Sequence, residues 1–425
     1  LKIQIHVEVP TDMNDEQKAY LGIALAFRAQ FYLDLVRLFE AKECTGSQVK
    51  NYTIPENIKG LACCIVTENT TEEQSKSNPR ATVDEVYDQV IFPDLERAER
   101  MLADYTRTVK TMPDLSVVYG ISARAWLERG SAGVDGAFAK AAEYARKAIA
   151  GGNTPLTEDQ WMNSKTGFNT PQSSWMLGTY VTSKEEVNTG YYYCTFIAQM
   201  TSEPTWGMAR YGKAFRMIGK SLYDKISDKD WRKNSWIAPE DAGKTDIPEN
   251  YRTELKGGDW SKLPAYTNLK FRPGSGSIST IETGLIASLP IMRVEEMYFI
   301  RFESIAHTES VAAAANEMAA FLNAYRYTDG SYVCEATDLD SFITELMIQR
   351  RIEFWGEGIN YFAYKRLGLP VTRTYEGSNW LSSQRLNSKA GYTAPWMNYV
   401  IPEYEKDNNQ GVILNPDPSG TILAD

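Results

Sequence analysis

The sequence predicts a mainly α protein: an α-solenoid of about four helix pairs interrupted by a large irregular, loop-rich insert. Three observations predict it. Apolar residues recur at three- and four-residue spacing through residues 15–40, 82–102, 115–149, 289–325 and 339–367, the period of a helix with a buried face. That period lapses between 151 and 287, where "GGNTP", "KGGDWSKLP" and "RPGSGSIS" break the chain. Six of the ten tryptophans fall inside the lapse. The chain reads as one domain over 1–425, with 1–150 and 288–368 as helical scaffold, 151–287 as a ligand-binding insert and 369–425 as a loop-rich tail.

In chain order, "DEQKAYLGIALAFRAQFYLDLVRLFE" places Leu21, Leu25, Phe31, Leu35 and Leu38 in helical register. An irregular excursion with Pro55 and Gly60 follows, over about 45–78. Residues 82–102 return to helical spacing, with Pro93 expected to kink or end a turn. "LSVVYGISARAWLERG" and "VDGAFAKAAEYARKAIAGG" form a helical hairpin, and Ala141, Ala145 and Ala148 make a small-residue stripe that admits a close neighbour. This spacing is similar to the second half of a tetratricopeptide repeat. A third pair is expected from Leu289 through His307 and Ser310 through Tyr325. The fourth begins near Asp338, where Thr337 and Asp340 suggest a capping box. Inside the insert, only Ala214 to Ile226 keeps a helical period.

The densest stretch is "ELMIQRRIEFWGEGINYFAYKRLG", residues 345–368. On a helical wheel Leu339, Ile343, Leu346 and Met347 occupy one side, and Ile348, Ile352, Trp355 and Ile359 the other, so the helix is sandwiched. Arg350, Glu353 and Glu357 fall among the first set. An unpaired buried carboxylate costs several kcal/mol, so these charges are expected to neutralise one another. Structural ion pairing is favoured over a pair of hydrolytic carboxylates, because neighbouring arginines hold carboxylates ionised.

The net charge of −10 provides no electrostatic footprint for nucleic acid. Five cysteines without CxxC spacing and two histidines, His6 and His307, give neither a disulfide framework nor a zinc site. "SDKDWRKNS" spaces Asp228 and Asp230 like part of a calcium loop but lacks its glycine and distal glutamate. No metal, cofactor or catalytic residue is expected. No uninterrupted apolar run approaches the roughly 20 residues needed to cross a bilayer.

Residues 345–368 resemble the C-terminal signature of the SusD/RagB family through Ile348, Arg350, Arg351, Glu353, Glu357, Gly358, Lys365, Arg366 and Gly368, with departures at Gln349, Asn360 and Ala363. Arg293, Glu296 and Glu303 resemble a second family helix. Leu322, Asn323 and Arg326 resemble its Leu-Asn-x-x-Arg ending, Arg28 and Ala29 its early helix, and Ile401, Pro402, Glu405 and Asn409 its closing motif. In order, these matches span nearly the whole chain. The resemblance implies a surface lipoprotein of the Gram-negative outer membrane. Such a protein captures glycans, or in some cases peptides, for a TonB-dependent SusC-like transporter. The implied lipid anchor and leader are not among these residues, so the chain is read as a mature or partial form.

Sugar rings present apolar C–H faces that stack on exposed aromatics, with nearby polar groups bonding the hydroxyls. Trp206, Trp231 and Trp236 are the leading candidates for such a platform, because Arg210, Lys233 and Asn234 make full burial awkward; Trp175 and Tyr191 join them. Three rivals remain: a peptide ligand, a tetratricopeptide interaction scaffold, and a glycoside hydrolase using Glu240 and Asp241 or Glu353 and Glu357.

Overall fold

The computed structural model describes residues 13–44, 52–187, 193–388 and 393–419. Helix α1 (Asp15–Phe39) starts at Asn14, whose side chain accepts from the Gln17 amide in a capping box. By length and composition α1 could cross a membrane, with a mean hydropathy of 1.2 over its most apolar window. Here it is a core helix, burying Leu25, Ala26, Ala29, Leu33 and Val36. Strand β1 (Leu61–Cys64), within the expected excursion, pairs antiparallel with β2 (Arg80–Thr82), just beyond it. The buried Arg80 guanidinium holds them, donating to the carbonyls of Leu61, Ala62 and Phe39 and, in the tail, to Ile413 and Asn415.

Helix α2 (Phe92–Met101) carries Pro93 without a break in the chain. The preceding turn, Tyr87–Ile91, is widened into a π-helix. Pro93 donates no hydrogen bond and its ring crowds the carbonyl four residues back, and a π-turn gives that carbonyl room. Arg28 then grips Asp94 with two hydrogen bonds of 2.6 and 2.7 Å, tying α1 to α2. Helices α3 (Leu115–Ser131) and α4 (Ala137–Ile149) form the expected hairpin. Ala141, Ala145 and Ala148 are fully buried against it, and a Cβ at Gly130 would lie 2.8 Å from the Phe138 ring.

The insert leaves and rejoins the scaffold through a two-stranded antiparallel sheet, β3 (Trp175–Thr179) with β4 (Leu289–Arg293). Residues 289–293 are therefore strand, not the start of the third helix pair. The pairing sets Trp175 opposite Arg293. No α-helix in the insert exceeds five residues among those described, and the expected 214–226 helix shrinks to Lys220–Tyr223. Helices α5 (Val294–Thr308), α6 (Val311–Tyr325), α7 (Leu339–Glu353) and α8 (Ile359–Leu367) complete the scaffold. Helix α5 packs on α3, α4, α6 and α7 and is its centre. The α7 cap is Asp338 with Ser341, rather than Thr337 with Asp340.

Helix α7 is sandwiched as its two apolar faces require. Leu346 and Ile343 join the α5–α6 core, whereas Ile352, Ile348 and Trp355 join a core built from insert residues. At this junction lies a buried network of four cations, Arg232, Lys270, Arg293 and Arg326, and four carboxylates, Asp230, Glu295, Glu353 and Glu357. The Glu353 carboxylate accepts from Arg326 at 2.8 and 2.9 Å, from Arg232 at 2.9 Å and from Arg293 at 3.2 Å. Burial opposes its charge, but Arg326, Arg293 and Arg232 outweigh it and hold Glu353 well below the ordinary carboxylate range. The expected Arg350–Glu353 neutralisation does not occur. Arg350 faces Glu296 at 3.9 Å, because i, i+3 neighbours on a sandwiched helix are claimed by different partners.

Removing one member of a buried charge set leaves the others unpaired. Glu353→Gln is therefore expected to lower unfolding free energy by about 3–5 kcal/mol in a denaturant titration. Burial pushes the Lys270 ammonium down to about 8, despite Glu357. Between about 8 and its unfolded value the unfolded chain binds the extra proton, so stability rises with pH in that window. The unfolding free energy of wild type minus that of Lys270→Met should rise by up to about 1.4 kcal/mol per pH unit from pH 8 to 10. A flat or falling wild-type-minus-variant value would show Lys270 held charged.

Candidate ligand-binding site

The tryptophans expected to form an exposed platform are interior. Trp175 and Trp236 are fully buried, Trp206 is 2 % exposed and Trp231 7 %. Trp231 donates its indole N–H to the Tyr325 carbonyl at 3.0 Å and packs edge-on to Trp161. Trp206 lies against Gly284, where a Cβ would fall 2.0 Å from the indole. The polar neighbours that seemed to forbid burial turn aside: Arg210 reaches Pro204 and Asp259, and Lys233 reaches Asp228. None of the four presents a ring face to solvent, which corrects the platform expectation for them. Tyr191 lies outside the described residues.

Aromatic surface is supplied instead by residues at the edges of those cores. Tyr193, Phe196 and Tyr211 are exposed, Tyr211 at 73 %, and Tyr266 and Trp355 are half-buried. Phe196 stands edge-on to Phe271, which neighbours Trp355, and Trp355 is edge-on to Trp236. Tyr266 is edge-on to Tyr223 and packs on the same core as Trp355. Its backbone has φ of 67°, a region that a bulky side chain occupies only under constraint. Here the constraint is a pair of hydrogen bonds, from the Tyr266 amide to Ile237 and from the Ile218 amide to Tyr266. Such strained positions concentrate at ligand clamps.

Trp355 is positioned by the buried network. Lys270 donates to its carbonyl at 3.0 Å while holding Glu357 at 2.6 Å. The turn that follows has Gly356 at φ 77°, and a Cβ there would meet Phe271 at 2.6 Å and Met200 at 2.8 Å.

Polar groups flank these rings. Arg216 donates to the Gln199 side chain at 2.6 Å, and its carbonyl accepts from Asn268, two residues from Tyr266. Lys220 pairs with Asp224, and the Lys220 amide donates to Asn379 at 2.8 Å, joining the tail to the insert. The tail adds a half-buried Trp380 with Arg373 stacked 4.4 Å from its ring centre. Aromatic faces bordered by amide, acid and base groups suit a neutral, hydroxyl-rich ligand. Of the acids weighed for hydrolysis, Glu353 and Glu357 are engaged by arginines and Asp241 by the Tyr251 hydroxyl and Lys244, and Glu240 is exposed. Asp230 turns inward to Arg232, away from the exposed Asp228, so the two do not form a cation loop.

Residues 4–127 match the model of a SusD-like family described as starch-binding and associating with the outer membrane. Over 95 % of its length the chain superposes on 78 % of a SusD-like carbohydrate-binding protein from Bacteroides vulgatus ATCC 8482, with a TM-score of 0.69 at 22 % identity. The chain has the SusD-like fold. A SusD superfamily protein from Bacteroides thetaiotaomicron VPI-5482 is similar over 96 % of this chain and 80 % of its own, at 19 % identity and a TM-score of 0.64. A laminarin-binding SusD-like protein matches the same shares at 18 % identity and a TM-score of 0.63. No curated protein sequence matches the chain.

Trp355 stood in the densest stretch of the sequence but read as an inward helical position. It lies beyond the last turn of α7, where the glycines at 356 and 358 were the available signal. Gly356→Ala forces Phe271 or Met200 aside, and is expected to lower ligand affinity at least threefold while the protein remains folded. Titration of wild type and variant against the same ligand checks this.

Proposed function

We propose that this SusD-like chain captures a glycan on the aromatic face formed by Tyr193, Phe196, Tyr266 and Trp355, without turning it over. Sugar rings stack on the aromatics, and Gln199, Arg216, Lys220 and Asp224 bond the hydroxyls. The chain then delivers the glycan to a TonB-dependent SusC-like transporter while held at the outer-membrane surface by a lipid anchor. The observation that carries this reading is Tyr266, an aromatic held at positive φ beside a half-buried Trp355 whose carbonyl is clamped by a buried lysine. The family description of starch binding at the outer membrane, and a laminarin-binding relative of the same fold, support the ligand class. Trp175, Trp206, Trp231 and Trp236 serve this face by packing beneath the insert surface.

Affinity electrophoresis in gels containing starch, laminarin or other polysaccharides is expected to retard the wild-type chain in at least one. Tyr266→Ala and Trp355→Ala should each weaken that retention at least about tenfold, the usual cost of truncating an anchoring aromatic. Retention by both folded variants would move the site elsewhere. Retention by no polysaccharide, with binding of a peptide mixture, would replace the glycan with a peptide.

A further inference from the structure

The buried network at Glu353 is electrically balanced, but a second charged region of the scaffold is not. Two adjoining cavities of about 60 and 20 Å³ lie between α1, α3 and α8 and share Arg37, Glu128, Phe362 and Arg366 in their walls. The inner one is also lined by Arg124, Arg350 and Glu296. The outer adds Lys42, Arg129, Lys365 and Glu40. Seven cations therefore face three carboxylates. The outside partners Asp34, Asp84 and Glu303 raise the carboxylates to six, one short.

The deficit is localised. Lys365 is 4 % exposed, and its ammonium donates at 2.9 Å to the Leu38 carbonyl, with no carboxylate in ion-pair range among the described residues; burial pushes it down to about 7, so it keeps its charge at neutral pH only with added negative charge nearby. Arg350 is 7 % exposed, and its nearest carboxylate, Glu296, is held bidentately by Arg124. The Nε–H groups of Arg350 and Arg37 are both buried without a hydrogen-bond partner among the described residues. An uncompensated buried cation costs several kcal/mol, and buried donors are almost always satisfied. Both needs are met by one negatively charged atom.

We infer that the cavity between Arg37, Arg350, Arg366 and Lys365 is a binding site for one small monovalent anion of chloride's size. A cavity of more than about 10–15 Å³ admits a water-sized sphere, and the two adjoining spaces accommodate a halide. The anion supplies the missing charge and accepts from the orphaned guanidinium N–H groups. It thereby fixes α8 and α7 against α1 and α3, at the opposite end of α8 from Trp355.

The probe is the halide itself, applied to the full chain. Crystals soaked in bromide should give an anomalous peak between Arg350, Arg37 and Lys365. At constant ionic strength, replacing gluconate with chloride should raise the thermal midpoint by several degrees, saturating with concentration as a single site does. Arg350→Gln should lose most of that shift. Absence of the bromide peak overturns the inference. So does a peak without a chloride-dependent midpoint, which marks an ion bound at soaking concentration only. Both wild-type measurements decide even if the variant fails to fold.

Discussion

The fold turns on neutralising Glu353 away from water. A carboxylate inside a protein is tolerated only when its attraction to nearby cations exceeds its lost hydration, and Glu353 meets that condition with three arginines from three parts of the chain. Arg326 closes α6, Arg293 ends β4 and Arg232 belongs to the insert. A single side chain thus fastens the irregular insert to the helical scaffold. Lys270 extends the attachment to Glu357 and the Trp355 carbonyl. The insert has almost no regular hydrogen-bonded structure of its own, so this charge set and the aromatic packing around it define its position.

The same arrangement explains why the insert's aromatics divide into two groups. Trp161, Trp231 and Phe168 surround the network, with Arg326, Arg293 and Lys270 lying over their rings at 4.6–5.6 Å. Their large apolar faces exclude water and strengthen every ion pair inside. Phe196 meets the Phe271 edge of this packing, Trp355, just beyond α7, packs against it and against the neighbouring Trp236 core, and Tyr266 packs on that second core. The candidate ligand face is therefore built on the edges of two aromatic cores, one of which insulates the charges.

Much of the scaffold was legible in the sequence, because an amphipathic helix writes its buried face at a fixed spacing. The α3–α4 hairpin with its alanine stripe, the sandwiched α7 and the irregular insert were all readable. The structural role of the α7 charges was readable too, since arginines beside glutamates on an apolar helix have few other uses. Their partners were not, because Arg232, Arg293 and Arg326 are brought to Glu353 only by the closed fold. The direction of each tryptophan was equally hidden. Arg210 and Lys233 beside Trp206 and Trp231 suggested exposure, but long side chains reach solvent or a carboxylate while their neighbours pack inward. In irregular segments no period records which residue faces in, and strain at Tyr266 leaves no mark on composition.

The most direct test of this account is native-state hydrogen exchange of the Glu353→Gln chain against wild type. If Glu353 is the common anchor, amides of the insert around Arg232 and Lys270 should lose protection together with those of β4 and the α6 C-terminus, while α1 and α2 remain protected. Loss confined to α7 itself, with the insert unchanged, would contradict it.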